Sequence, residues 1–217
     1  MDLERLRRVD PGYKDENSGL KFSKTELIHI LIAVLVLSLA FSIILRGSYL
    51  DSNQVMNYLK IFAISVLLVT CSFLIHELGH KYVAQMYGAW SEFRMFPAGL
   101  LMSLIFAFVG FLFAAPGAVY IKGNVTQEQY GKISLAGPLT NFIFAAIATG
   151  LCLVMSDALL VSILAQLAWL NAFLGIFNMI PIPPLDGSKV IKWSIPAFII
   201  FAVIGVIELI VIRTIIF

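Results

Sequence analysis

Long apolar runs separated by short polar stretches set the pattern of this chain. A helix needs about 20 apolar residues to cross the hydrocarbon of a bilayer. Runs of that length fall at 26–46, 58–87, 133–156, 158–180 and 195–217. A sixth run, Gly99 to Ala115, is shorter and is bounded by Pro97 and by Pro116-Gly117. On either side of it, Glu92-Phe93-Arg94-Met95-Phe96-Pro97 and Ala118-Val119-Tyr120-Ile121-Lys122 alternate partly between polar and apolar positions. That is the period of a strand, although it also fits two interfacial loops with anchoring aromatics. The pattern therefore predicts an all-α polytopic membrane protein. About five full transmembrane helices are joined by a re-entrant or short sixth hydrophobic element, with short membrane-associated β-strands framing it.

Composition agrees. Of 217 residues, 60% are hydrophobic and 13% charged, and the mean hydropathy is +0.93. This is the composition of a chain solvated by lipid, so the bilayer is the first partner expected. A formal net charge of +2 gives no footing for nucleic acid. Cys71 and Cys152 both sit in apolar runs and read as buried thiols without a disulfide framework. No linker, repeat or low-complexity tract divides the chain, which reads as a single membrane domain over 1–217. Residues 1–25 are polar and mixed in charge, and the run that follows, Leu27 to Leu45, is too long for the core of a signal peptide. It reads as a retained span.

Sidedness follows from Lys and Arg. Arg5, Arg7, Arg8, Lys14, Lys21 and Lys24 precede the first span, which places the N-terminal segment 1–25 in the cytoplasm of a cell-membrane protein. The run 99–115 then decides the remainder. If it crosses, Lys122, Lys132, Lys189 and Lys192 all lie outside. If it enters and returns, 12 of the 15 basic residues lie inside, and Arg46, Lys60 and Arg213 are the exceptions. The second arrangement is the one expected.

Chemistry concentrates in His76-Glu77-Leu78-Gly79-His80. Residues four apart share a helix face, so both imidazoles can reach one metal ion while Glu77 works on a water beside it. Ionisable groups in hydrocarbon are costly and usually mark function. The histidines lie seven to eleven residues before Tyr87, roughly 10–16 Å from the end of their span at 1.5 Å per residue. A catalytic zinc takes three protein ligands and keeps a position open. For the third, the chain offers His29, Glu92, Glu128, Asp157, Asp186 and Glu208. Asp186 has the context, because it follows Pro181-Ile182-Pro183-Pro184-Leu185 and precedes Gly187. Prolines end the helix and glycine permits a sharp turn, so this backbone can carry a carboxylate sideways to a neighbouring helix. The re-entrant reading puts Asp186 on the histidine side.

Here the sequence resembles the site-2 protease family of intramembrane zinc metalloproteases. Two motifs carry the resemblance: His76-Glu77-Leu78-Gly79-His80 as HExxH, and Asn178-Met179-Ile180-Pro181-Ile182-Pro183-Pro184-Leu185-Asp186-Gly187 as N-x-x-P-x-P-x-L-D-G. Ala136-Gly137-Pro138-Leu139-Thr140-Asn141 resembles the family's A-G-P-x-x-N segment. The match covers about residues 60–190, the expected catalytic core. It implies that His76, His80 and Asp186 hold one Zn2+ and that Glu77 is the general base and later the proton donor to the leaving amine. Asn178 would hold substrate backbone or the developing oxyanion, with Asn141 a weaker candidate for that task and Gly137-Pro138 serving helix packing. The substrate would be a transmembrane segment of another protein, cut by hydrolysis. The strand edge near 92–97 and 118–122 could pair with that segment once unwound. Many relatives carry a PDZ domain in this core and some carry CBS domains; neither is expected here.

A rival reading keeps the metal and drops the reaction: a non-catalytic zinc-binding membrane protein, either a transporter or a degenerate protease. Glu77 separates the two, since an ion carrier has no need of a carboxylate beside its first ligand. Glu208, midway along the last span, reads as a residue paired with another helix or as part of a polar gate. Asn171 and Gln166 read as interhelical hydrogen bonding.

Overall fold

The computed structural model describes residues 20–49, 54–111 and 116–215. Arg5, Arg7, Arg8 and Lys14, which contribute to the sidedness argument, lie outside these residues, as do residues 112–115 of the sixth apolar run. Among the described residues, five helices are long and apolar enough to cross a membrane. The first is α1 (Lys24–Tyr49). The second joins α2 (Gln54–Val69), a π-helical turn (Thr70–Leu74) and α3 (Ile75–Met86) into one rod. After a hairpin follow α5 (Gln127–Val154) and α6 (Ala158–Asn178). The short α7 (Gly187–Trp193) then leads to α8 (Ile195–Ile215). The α5 helix begins six residues before the apolar run does. The hydroxyl of Thr126 accepts from the backbone N–H of Gln129, and the Gln129 side chain reciprocates. This capping box satisfies the first-turn donors and starts the helix in polar sequence.

The sixth run does not cross. Strand β1 (Trp90–Met95) pairs antiparallel with β2 (Gly117–Lys122), with Met95 opposite Gly117. The Phe96 N–H donates to the Pro116 carbonyl at 2.7 Å. The helix between them, α4 (Pro97–Phe108), therefore leaves the sheet and the chain comes back to the point of departure. Phe96 and Pro97 are not strand residues: Pro97 occupies the first turn of α4, where a missing N–H costs nothing. At Gly117 a Cβ would lie 2.2 Å from the Arg94 carbonyl oxygen, so the two strands can close only over a glycine.

Small residues set the remaining helix packing. Ala145 and Ala148 of α5 meet Ala168 and Ala172 of α6, which lets the two backbones approach as membrane helices do in the absence of a hydrophobic drive. Phe142 of α5 fills the space over Gly175 of α6 and Gly205 of α8, where a Cβ would lie 2.5 and 2.8 Å from its ring.

At the hairpin end the core is ionic. The Lys81 Nζ donates to both Glu26 carboxylate oxygens at 2.9 Å and to the Ser91 carbonyl at 2.8 Å. The same carboxylate accepts from the Phe93 N–H at 2.9 Å. Glu26 and Lys81 are 0% and 1% exposed. Lys81 is thus no free surface cation. It ties the metal-bearing helix α3 to the first turn of α1 and to β1. Removing one partner of a buried pair strands the other charge, at a cost of about 3–5 kcal/mol. We expect Lys81→Met to destabilise the protein by that amount in detergent unfolding, and Lys81→Met with Glu26→Met to recover much of it. Equal stability of the single variant and the wild type would show the pair to be idle.

Candidate metal centre

The candidate metal site is built on α3, α5 and the loop before α7. His76 and His80 stand one turn apart on α3, ten and six residues before its end at Met86, or roughly 15 and 9 Å along the axis. Their Nε2 atoms are 3.0 Å apart. Asp186 arrives from the proline loop, with Oδ2 at 3.3 Å from His76 Nε2 and 3.1 Å from His80 Nε2. All three residues are buried. The other carboxylate oxygen of Asp186 accepts from Lys189 Nζ at 3.2 Å, and Lys189 also donates to the Pro184 carbonyl at 3.0 Å. Gly187 makes the turn possible: a Cβ there would lie 2.1 Å from the Met179 carbonyl oxygen.

The hydrogen bonds place a proton on the Nδ1 of both rings. Asn141 donates its amide to the Ser72 carbonyl at 3.1 Å and to Asn171 Oδ1 at 2.8 Å. Its Oδ1 therefore faces His76 Nδ1, at 2.5 Å, and the ring nitrogen is the donor. His80 Nδ1 faces the Ile133 carbonyl at 2.8 Å and must also donate. In neutral imidazole the other nitrogen is then a bare acceptor. With both rings neutral, two imidazole lone pairs and a carboxylate oxygen converge on one point, an arrangement that a shared cation, a proton or a metal ion, makes attractive. The donor set is one that zinc uses in catalytic sites. Ligand distances of 2.0–2.2 Å set tetrahedral edges of roughly 3.3–3.5 Å, close to those observed. The residues fit the ion.

The π-helical turn sits immediately before the motif. Such turns insert a residue into an α-helix and recur at functional sites. Here the turn presents the Ser72 carbonyl to Asn141 and so ties the metal-bearing helix to α5. The contact with α5 is close. A Cβ on Gly79 would lie 2.9 Å from the Ala136 carbonyl oxygen, and a Cβ on Gly137 would lie 2.4 and 2.6 Å from the Nε2 atoms of His80 and His76.

Glu77 is buried beside the cluster, and its Oε2 has no hydrogen-bond partner among the described residues. Asn178 lines the same cavity, while its amide N–H donates to the Leu174 carbonyl at 3.0 Å. The other acidic candidates for a third ligand are used elsewhere or stand apart. Glu92 pairs with Arg94 and Glu128 with Lys132. Asp157 caps α6 by accepting from the Leu160 N–H. His29 Nδ1 and Glu208 Oε2 are buried without hydrogen-bond partners among the described residues. Asn141 holds His76 from behind, a place that the sequence pattern did not give it, and Asn171 makes the expected interhelical hydrogen bond, to Asn141.

The profile of peptidase family M50 matches residues 153–199, the segment that carries Asn178 and Asp186. A protein of Methanocaldococcus jannaschii named "Putative zinc metalloprotease MJ0611" is 42% identical over 180 residues, covering 82% of this chain and 88% of the relative. A second protein of that organism, named a zinc metalloprotease, is 31% identical over 64% of this chain and 36% of its own length. A Bacillus subtilis protein, "Putative zinc metalloprotease YwhC", is 32% identical over 60% of this chain and 68% of the relative. No solved structure matches. With the M. jannaschii relative matched over nearly its whole length, the chain belongs to peptidase family M50, the site-2 proteases, and is a multi-pass membrane zinc metalloprotease.

Proposed function

We propose that this protein hydrolyses a peptide bond in or near a transmembrane segment of another protein, as a step of regulated intramembrane proteolysis. The single observation that carries this reading is the unpartnered Glu77 carboxylate oxygen, set in the same cavity as His76, His80 and Asp186. A transporter would leave such a group without a task.

In this reading His76, His80 and Asp186 hold the ion and Glu77 handles protons. Zinc, when bound, polarises the scissile carbonyl and acidifies water. Glu77 takes the proton of the attacking water and returns it to the leaving amine. Asn178, at the cavity wall, orients the substrate backbone. Asn141 keeps His76 in the tautomer that presents Nε2, a supporting contact of the kind worth 10–100-fold in metal affinity. The lysine and arginine distribution supports a cytoplasmic N-terminus and a metal site opening to the cytoplasmic side of the cell membrane.

A helical substrate hides its carbonyls in hydrogen bonds and must unwind to be cut. Purified protein given a membrane-span peptide should cleave it, lose that activity on chelation and regain it with zinc. Asn-Gly placed near the cut should speed cleavage, and Ala or Leu at the same places should slow it. Cleavage that survives complete metal removal would overturn the proposal. Cleavage indifferent to substrate helicity would remove unwinding as the limiting step.

A further inference from the structure

The cavity that holds the metal donors does not end at them. It encloses about 190 Å3. Away from Glu77 and the imidazoles its walls are Leu37 and Phe41 of α1, Val69 of α2, Phe73 of the π-helical turn, and Leu170 and Leu174 of α6. Leu170, Leu174 and Asn178 are spaced by four, so one stripe of α6 runs from this apolar lobe to the mouth of the site. None of the six carries a polar side-chain atom, and Ser72, which also lines the cavity, gives its hydroxyl to the Leu68 carbonyl.

We propose that this lobe is the specificity pocket for one large apolar side chain, Leu-sized to Phe-sized, on a residue flanking the bond that is cut. The inference rests on the proteolytic reading above and adds the substrate class. Size permits it: the whole cavity, metal end included, is about 190 Å3, against about 150 Å3 for an apolar cavity that takes a benzene ring. Chemistry supports it as well. A charged or amide side chain would lie there without a partner, which is costly in an apolar enclosure, whereas a leucine or phenylalanine would exchange lipid contacts for close packing. Phe73 and Leu174 stand one helical turn from Glu77 and Asn178 on the same wall, which sets the near end of the lobe beside the site. A substrate helix would then be chosen by two features together, a segment that unwinds and a bulky apolar residue beside it.

The experiment uses membrane-span peptides that differ at one residue on each side of the mapped cut, carrying Ala, Val, Leu, Phe or Asn. At one of the two positions, kcat/KM should favour Leu or Phe over Ala by at least 10-fold, and over Asn by more. Val69→Phe, which fills the lobe, should lower kcat/KM for the Phe peptide relative to the Ala peptide by about tenfold or more, with zinc content unchanged. Leu174→Ala enlarges the lobe and should shift preference the other way, which keeps the test decisive if Val69→Phe does not fold. Cleavage by the wild type with no preference at either position, or a preference untouched by both variants, would overturn the pocket and leave the protease. No cleavage of any peptide by the wild type would remove the protease and the pocket together.

Discussion

Glu77→Gln should abolish hydrolysis while bound zinc stays at one ion per chain. Glutamine keeps the shape of the side chain, so packing around it is preserved. It cannot accept the proton of an attacking water, and positioned proton transfer is worth roughly 10²–10⁴ in rate, or about 3–5 kcal/mol of barrier. Zinc should remain because the converging donors are His76, His80 and Asp186, and Glu77 is not among them. Metal analysis alongside peptide cleavage reads both quantities in one preparation. Undiminished cleavage would end the general-base assignment. Loss of zinc together with activity would make Glu77 a ligand and reopen the question of which group moves protons.

Some of this was legible in sequence because the solvent left few choices. Hydrocarbon demands long apolar helices, so the five spans could be counted to within a few residues. The largest boundary difference is at α5, which the capping box of Thr126 and Gln129 starts in polar sequence, outside any hydropathy signal. The return of the sixth run also followed from charge: only that path keeps Lys122, Lys132, Lys189 and Lys192 with the N-terminal cluster. His76, His80 and Asp186 were legible because ligand types are few and the proline-glycine context of Asp186 marks a backbone built to deliver a side chain.

What stayed hidden is made by tertiary contact. The Ile133 carbonyl that orients His80 has no side-chain signature. Asn141 reads first as an interhelical hydrogen bond and only second as an oxyanion group, and its place behind His76 follows from the α3–α5 crossing. Lys81 looks like one more positive charge on the inner side. Its partner Glu26 lies 55 residues away, and the burial of both is set by how α1 meets α3 and β1.

Gly137 is the sharpest case, since the motif suggests nothing beyond packing for it. With a methyl group placed 2.4 Å from His80 Nε2 and 2.6 Å from His76 Nε2, Gly137→Ala would occupy the place where both donor atoms lie. The rings cannot retreat freely, because Asn141 and the Ile133 carbonyl hold their far nitrogens, and the α3 rod is tied to α5 through the Ser72 carbonyl and Asn141. The donors must part, and losing the geometry of two ligands at once costs more than the 10–100-fold of a lost supporting contact. We expect zinc content to fall from one ion per chain to near none, with cleavage lost alongside it. Gly150→Ala on the same helix is the control, because a Cβ there meets nothing within 4 Å. It should keep zinc and activity, and helix propensity favours it slightly. Full zinc in Gly137→Ala would mean that the imidazoles have room the structure does not give them, and that the metal, if it binds this chain, is held by other atoms.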